Sequence, residues 1–308
     1  MDTAAASGTP FGHAAGRLPA QVRSPCRGGV AWRHFGDTRA FLTSPQLLLL
    51  QVAHPVVGAG VAAHSNFRAE PWQRLLRTVG SLGTVVYGGQ AAATAEARRL
   101  IEVHREMKGT DAQGRRYHAL HPEAYHWVHA TLVRGPVDAL RLFGPGLTAE
   151  ETEEYYREMR DVGRVWGLKD HHLPPDWASF CAYYDRVVAE RLELNDSVRD
   201  VLTELARPQK PPVWWVPAVL WRPFAALAAH YALLVTIGVL PPVLRERFGL
   251  AWTDRRQRRL RRFARVVRCL MAPVPPPLRI APALFLAYWN THRPGTDPRT
   301  RRPLGATV

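Results

Sequence analysis

The stretch that decides the fold prediction is residues 46–109, QLLLLQVAHPVVGAGVAAHSNFRAEPWQRLLRTVGSLGTVVYGGQAAATAEARRLIEVHREMKG. It contains three helix-period apolar patterns in a row, separated by proline and glycine. Ser44 is the predicted N-cap of the first helix and Pro45 its first residue. This helix is apolar nearly all round, which is typical of a buried helix. Pro55 should kink or restart it, and the small residues within 58–63 would let another helix or a flat ligand approach closely.

The second helix is predicted to begin at Pro71 and to stop at Gly88 and Gly89. Arg74 and Thr78 are four residues apart, so they should share one face of this helix. The second helix therefore presents a cation and a hydroxyl side by side.

The third helix is predicted to have Thr94 as its N-cap and to stop at Gly109. Its apolar stripe continues into His104. A histidine in such a place is usually a core residue hydrogen-bonded to a carbonyl, but a buried neutral imidazole is also a good ligand for iron or zinc. No Cys/His zinc spacing occurs, whereas a porphyrin iron needs only one protein ligand. Spacing alone leaves both interpretations of His104 open.

Helix-period patterns dominate the rest of the chain, no repeat is visible, and the strand signal is poor. Apolar residues make up 46% of the sequence, which is enough for a sizeable core. We therefore predict an all-α protein with one helical domain over residues 31–290. It would lie between a flexible N-terminal tail, residues 1–30, and a disordered C-terminal tail, residues 291–308.

Charge and cysteine content narrow the function classes. The net charge is +15, from 41 Lys and Arg against 26 Asp and Glu, which suits anionic partners such as nucleic acid, acidic lipid or haem propionates. Nucleic acid is not expected, because no DNA- or RNA-binding motif occurs. The three cysteines, Cys26, Cys181 and Cys269, form no C-x-x-C pair, so a disulfide framework, a zinc ribbon and covalently attached haem are disfavoured and a reducing cytoplasm is favoured.

Three further segments carry polar or charged features. Pro122 should start a helix that carries His129, which could contact a cofactor or hydrogen-bond to a neighbouring helix. Asp170, His171 and His172 share a loop in which a metal site is conceivable. Thr148 and Glu151 form a capping box that should begin another helix, and Asp176 and Thr253 should cap two more. These last three predictions concern fold alone.

Residues 213–268 allow two interpretations. No charge occurs from Phe224 to Leu240, which fits either a buried helix or a segment that docks on a membrane. The helix after Thr253 has an apolar stripe and eight arginines between Arg255 and Arg268, which is typical of a solvated cationic face or of contact with a membrane surface.

Seven motifs, which together are specific, resemble the family that joins latex clearing proteins (rubber oxygenases) with MpaB-type oxygenases. The resemblance covers residues 33–285. The motifs are FGD at 35–37, QVAHPVVGAGVAAHSNFR at 51–68, RLLRT at 74–78, VVYG at 85–88, HREMKG at 104–109, GRRYHALHPEAYHWVHATL at 114–132 and LPPVLRERFGLAW at 240–252.

The resemblance implies an all-helical fold with a globin-like core around haem b. His104 matches the proximal iron ligand of the family. Arg74 and Thr78 match its Arg-x-x-x-Thr pair, which implies a catalytic place near the haem, where they would stabilise bound dioxygen or peroxide as charge builds. The further candidates for cofactor contact are Arg77, His54, His64 and His129.

The sequence departs from latex clearing proteins at two points. Their distal lysine, which precedes the threonine of the pair, is Arg77 here. Arginine has a higher pKa and a planar fork, so we expect it to leave the sixth position of the iron open. Latex clearing proteins also carry an acidic residue before the arginine, as a proposed base, whereas residues 51–69 contain no Asp or Glu. This absence argues against rubber-type cleavage of a carbon–carbon double bond and favours the broad bacterial branch of the family.

We therefore predict a haem b-dependent oxygenase or related oxidoreductase that acts on a hydrophobic small molecule with molecular oxygen or peroxide. One alternative is a haem-binding sensor or carrier without turnover. Another is a non-catalytic helical protein that docks on anionic membranes through residues 213–268. The expected location is the cytoplasm, with peripheral contact with the inner face of the membrane. No G-x-S-x-G, P-loop or dinucleotide fingerprint occurs.

Overall fold

The computed structural model describes residues 24–25, 27–64, 71–210, 218–281 and 284. The structure is 73% helical with one two-stranded sheet, so the all-α prediction is confirmed. The globin-like arrangement of the core stays a prediction. Most of the predicted N-terminal tail and all of the predicted C-terminal tail lie outside the described residues.

Thirteen α-helices and one β-hairpin occur in the described residues. They are α1 Val30–His34, α2 Thr38–Phe41, α3 Ser44–Ala53, α4 Pro55–His64, α5 Pro71–Tyr87, α6 Gly89–Arg105, β1 Lys108–Thr110, β2 Arg116–His118, α7 Pro122–Phe143, α8 Ala149–Val165, α9 Trp177–Glu190, α10 Asp196–Ala206, α11 Ala218–Val239, α12 Pro242–Arg247 and α13 Asp254–Met271.

Helices α3 and α4 meet at a sharp break. Their axes differ by 103°, as expected where Pro55 removes a backbone donor and keeps the preceding His54 extended, with ψ 126°. The predicted N-cap was one residue late, because Thr43 holds that place and Ser44 is already helical. The break lets α3 run through the core while α4 turns away from it.

Helices α5 and α6 form a hairpin. The predicted start at Pro71 is confirmed, and α5 ends at Tyr87 before the two glycines. The predicted N-cap of the next helix, Thr94, was wrong, because α6 begins at Gly89. Gly89 has φ +74°, a left-handed conformation that glycine adopts without steric cost. Only Gly88 therefore separates the two helices, and no longer linker is needed.

The end of α6 also differs from the prediction. The helix ends at Arg105, four residues before the predicted stop at Gly109. Gly109 belongs instead to β1, which pairs antiparallel with β2 through Gly109 and Tyr117. A Cβ on Gly109 would lie 2.7 Å from the Tyr117 hydroxyl, so the ring packs where a side chain would stand. The sequence pattern missed this hairpin because each strand has only three residues.

Helix α7 runs through the centre of the domain and contacts α2, α3, α8, α9 and α13. Trp127 is fully buried, and its indole donates a 2.9 Å hydrogen bond to the Leu50 carbonyl of α3. The predicted capping box at Thr148 and Glu151 begins α8 and confirms that boundary. The side chains of Asp176 and Thr253 cap α9 and α13, also as predicted.

Helices α11 and α13 pack side by side near the end of the described chain. The second half of α11 is buried, as Leu234 and Val235 show, whereas Phe224 and Leu227 of its first half are 62% and 55% exposed. The buried-helix interpretation of this uncharged segment therefore fits the second half of α11, and the membrane-docking interpretation fits the first half. Within the described residues no single helix has the length and apolar character of a membrane span. The bent pair α3–α4 reaches that length and apolar character only when its two helices are counted together.

Candidate active site

An apolar cavity of about 400 Å³ lies between α3, α5, α7 and α10. Leucine, proline and aromatic side chains form most of its wall, so it suits a hydrophobic ligand. The polar side chains that reach the wall are Ser44, Gln51, Arg74, Thr78, Glu204 and Gln209.

Helix α5 brings Arg74 and Thr78 to this cavity on one face, as their four-residue spacing predicts. Burial lowers the pKa of Arg74, and the neighbouring Arg77 lowers it further. The Thr78 hydroxyl donates to the Arg74 carbonyl at 3.0 Å, so its proton is used within the helix and its oxygen can act as an acceptor. Arg74 and Thr78 thus place a cation and a hydroxyl acceptor together in the cavity wall.

Two polar residues of the cavity were not among the sequence candidates. Gln51 of α3 donates to the Thr131 hydroxyl of α7 at 2.8 Å, which fixes one wall. Glu204 of α10 is half-buried, and its side chain makes no hydrogen bond or ion pair within the described residues. Glu204 is the one carboxylate among the residues that line the cavity. Only its place three residues after buried Val201 signals that it faces inward.

His104 lies near the end of α6 and does not line the cavity. Its Nδ1 donates to the Leu100 carbonyl at 2.7 Å, and the ring meets Tyr125 edge-on with centroids 5.8 Å apart. Burial lowers the pKa of His104, and the carbonyl partly opposes that shift. The imidazole is therefore neutral near pH 7, with its proton on Nδ1, and Nε2 makes no hydrogen bond within the described residues. This is the tautomer that a metal-ligating histidine needs.

The two histidines at the ends of α4 have different environments. His54 is buried with its Nδ1 lacking a partner in the described chain, and burial lowers its pKa to about 4. His64 is exposed and shares a 3.1 Å hydrogen bond with the Tyr117 hydroxyl of the β-hairpin. Neither lines the cavity, so the structure brings neither of them together with Arg74.

His129 lies inside the core rather than on the cavity. Its Nε2 hydrogen-bonds to the Met159 carbonyl of α8 at 2.8 Å, so the neighbouring-helix contact, one of the two sequence alternatives, is present. Burial lowers its pKa to about 4, and the hydrogen bond partly opposes that shift. Its Nδ1 has no partner among the described residues.

The remaining sequence candidates lie apart from the cavity. Arg77 is exposed and is absent from the cavity wall. Asp170 of the histidine loop pairs with Arg164 at 2.7 Å. Across the described parts of the chain, no three His, Cys, Asp or Glu side chains converge as a metal site. The neutral His104 ring, whose Nε2 makes no hydrogen bond in the described chain, suits a cofactor that needs one histidine ligand.

Comparison with known proteins adds one match. The family model described as ER-bound oxygenase mpaB/B'/Rubber oxygenase, catalytic domain, matches residues 32–269. The chain matches none of the curated proteins and none of the solved structures compared with it. The matched range contains the α5–α6 hairpin and every polar residue of the cavity wall.

Proposed function

Because the chain belongs to the mpaB/rubber oxygenase catalytic-domain family and is therefore an oxygenase, we propose that it uses haem b, with His104 as the iron ligand. The observation that carries the proposal is the Nδ1 hydrogen bond to the Leu100 carbonyl, which leaves Nε2 with its lone pair. Bound haem would supply the iron at which dioxygen or peroxide is activated.

The cavity residues are proposed to act in the same reaction as that cofactor. Arg74 is a partly buried cation that can attract a propionate or an anionic oxygen species. Thr78 offers a hydroxyl acceptor on the same face, and the apolar wall excludes water from a hydrophobic substrate. Molecular oxygen or peroxide is the proposed oxidant.

Glu204 completes this assignment as the proton-transfer group. Its carboxylate is the one in the cavity wall, and it lies on α10, far along the chain from the segment in which latex clearing proteins carry their acid. A carboxylate can accept a proton from a substrate and return it later. We therefore assign the general base to α10.

An absorption spectrum with a pyridine haemochrome assay tests the cofactor. We expect a Soret band and about one haem b per chain, and loss of stoichiometric haem in a folded His104→Ala variant. His230→Ala is the matched control, because His230 is exposed on α11. Haem content that stays normal in His104→Ala, or no Soret band after haem supplementation, would overturn the assignment.

Turnover of guaiacol with hydrogen peroxide tests Glu204 separately. Glu204→Gln should retain haem and lose about 10²-fold or more of the rate, as expected for a general acid–base group. Glu190→Gln, an exposed site on α9, should keep the wild-type rate. A haem-loaded wild type that binds oxygen but turns over neither guaiacol nor other apolar substrates would favour a sensor or carrier.

A second role is favoured by the surface that α11 and α13 share. Gly238 packs on Trp252 and Tyr231 stacks on Phe263 at 4.6 Å, so the helices are antiparallel. The first half of α11 therefore lies beside the end of α13, where exposed apolar residues come from both helices. They are Phe224, Leu227, Val266 and Leu270.

The arginines around this apolar surface indicate which kind of partner it binds. All eight arginines of α13 are exposed, and cations that flank apolar side chains suit an anionic bilayer. We infer peripheral docking at the cytoplasmic face of a membrane; the free thiols of Cys181 and Cys269 are compatible with a reducing compartment.

Co-sedimentation with vesicles tests this docking. Vesicles that contain phosphatidylglycerol should carry the protein down, and pure phosphatidylcholine should not. Replacing Arg258, Arg259 and Arg262 by Gln should reduce binding, whereas Arg199→Gln on α10 should not. Binding that is independent of anionic lipid, or unchanged in the triple variant, would overturn the inference.

A further inference from the structure

A second recess, of about 920 Å³, lies between the start of α7, the loop from 170 to 175 and α9. None of its residues lines the cavity of the candidate active site. The recess is unusually rich in ionisable side chains, which are His121, Glu123, His126, Arg160, Asp170, His171, His172, Tyr183 and Arg186.

Both acids of the recess are neutralised from outside it. Asp170 pairs with Arg164 at 2.7 Å, and Glu123 pairs with Arg191 at 2.7 Å. Neither arginine lines the recess. The two carboxylates are therefore already occupied and contribute little attraction for a cation.

The two arginines of the recess lack such partners. The Arg186 side chain makes no hydrogen bond or ion pair within the described residues. Arg160 donates one Nη1 bond to the Pro175 carbonyl at 3.0 Å, but its Nε is buried without a partner in the described chain. The recess is therefore positively charged, and N–H donors of its two arginines have no acceptor in the described chain.

His126 is the buried polar group that faces this recess. It is 5% exposed, and it stacks on Tyr183 with ring centroids 4.2 Å apart and planes 16° apart. The Tyr183 hydroxyl is buried without a hydrogen-bond partner in the described part of the chain, as is Arg160 Nε. A buried polar group without a partner costs about 1–3 kcal/mol, so a ligand that accepts hydrogen bonds would recover that free energy.

The chemistry of these donors indicates an anion rather than a metal ion. Burial, together with nearby His129 and His172, lowers the pKa of His126 to about 3, so the neutral ring offers one N–H and the arginines supply the charge. The described residues contain no converging set of three metal-ligand side chains. The recess offers hydrogen-bond donors from two guanidinium groups, one imidazole N–H and one phenol O–H. These donors outnumber the two oxygens of one carboxylate and suit the oxygens of a phosphate group.

We propose that this recess binds a phosphate group, held by the Arg160 and Arg186 guanidinium groups and by hydrogen bonds from His126 and Tyr183. The site does not share residues with the cavity, and its occupancy does not depend on haem.

Calorimetric titration of the full-length, haem-loaded protein with inorganic phosphate in a low-salt buffer tests the site. We expect saturable binding of one phosphate per chain, weakened about tenfold or more in Arg186→Gln. His126→Phe keeps an aromatic ring against Tyr183 but removes the N–H, and it should weaken binding too. Arg199→Gln, on an exposed pair of α10, is the control and should bind as wild type does.

Two results would overturn the proposal. One is the absence of saturable heat at millimolar phosphate, and the other is equal affinity in Arg186→Gln and wild type. Arg186 is exposed, so its variant stays informative even if His126→Phe fails to fold. Vesicles that contain phosphatidic acid distinguish the source once docking through α13 is removed by replacing Arg258, Arg259 and Arg262 with Gln. Sedimentation of that triple variant that Arg186→Gln abolishes assigns the phosphate to a lipid head group, and sedimentation that Arg186→Gln leaves unchanged assigns it to a soluble ester.

Discussion

Replacing Asp37 by Asn should destabilise the protein by about 3–5 kcal/mol, the usual cost of removing one partner from a buried ion pair. Asp37 and Arg39 are 3% and 5% exposed. The carboxylate accepts Arg39 Nε at 2.8 Å and Nη2 at 2.6 Å, and it also accepts the Arg39 backbone N–H at 2.9 Å as the cap of α2. Asparagine keeps one acceptor oxygen but turns an amide N–H₂ towards the guanidinium, so a buried cation is left without its counter-ion.

The loss can be measured as the free energy of unfolding in urea, followed by circular dichroism. Asp196→Asn is the matched control, because Asp196 and Arg199 form an exposed pair that should contribute less than about 1 kcal/mol. Asp37→Asn combined with Arg39→Met should cost less than the two single changes added together, because neither charge is then left alone.

A loss in Asp37→Asn no larger than that in the exposed control would refute this reasoning. The ion pair also bears on function, because Phe35 and Phe41 beside it line the apolar cavity. The variant should therefore also loosen one wall of the candidate active site.

Three further predictions concern stability. Burial lowers the pKa of His129 from 6.5 to about 4. The stability that the neutral ring contributes is therefore fully present above pH 6.5, and the free energy of unfolding falls by about 3 kcal/mol as the pH drops towards 4. Urea unfolding across that range should show the loss, and the same pH dependence in His129→Gln as in wild type would contradict it. Gly89→Ala should cost about 1–2 kcal/mol because Gly89 has φ +74°, whereas Gly80→Ala, with open space around its Cβ, should not destabilise in the same thermal-unfolding assay. Thr148→Ala should cost about 1 kcal/mol by removing the capping box of α8, and an unchanged melting temperature would contradict that role.

The helix starts and ends that depend on local chemistry could be predicted from the sequence. Pro71, the capping box at Thr148 and the caps at Asp176 and Thr253 each act on their own turn of helix, so their neighbours in sequence determine the outcome. Gly89 shows the limit of that approach. The sequence marks a stop there, but only the left-handed conformation shows that the next helix begins at once.

The sequence predicts only the part of the candidate site whose residues come from a single helix. The spacing of Arg74 and Thr78 places both on one face of α5, and the cavity confirms that shared face. Glu204 and Gln51 come from α10 and α3, and their meeting with Arg74 depends on how the helices pack, which no local pattern encodes. The recess proposed to bind phosphate is of the same kind, because its arginines lack a carboxylate partner only once Arg164 and Arg191 have paired with Asp170 and Glu123.

The left-handed turn at Gly89 has a mechanical consequence. Arg74 and His104 lie about fifteen residues from the turn on opposite arms of the α5–α6 hairpin, so each is about 22 Å from it at 1.5 Å per residue. A rotation of about 10° between the arms would displace one of these side chains by about 4 Å relative to the other. The spacing between the proposed iron ligand and the cationic group of the cavity is therefore sensitive to the angle between two helices that meet at Gly89.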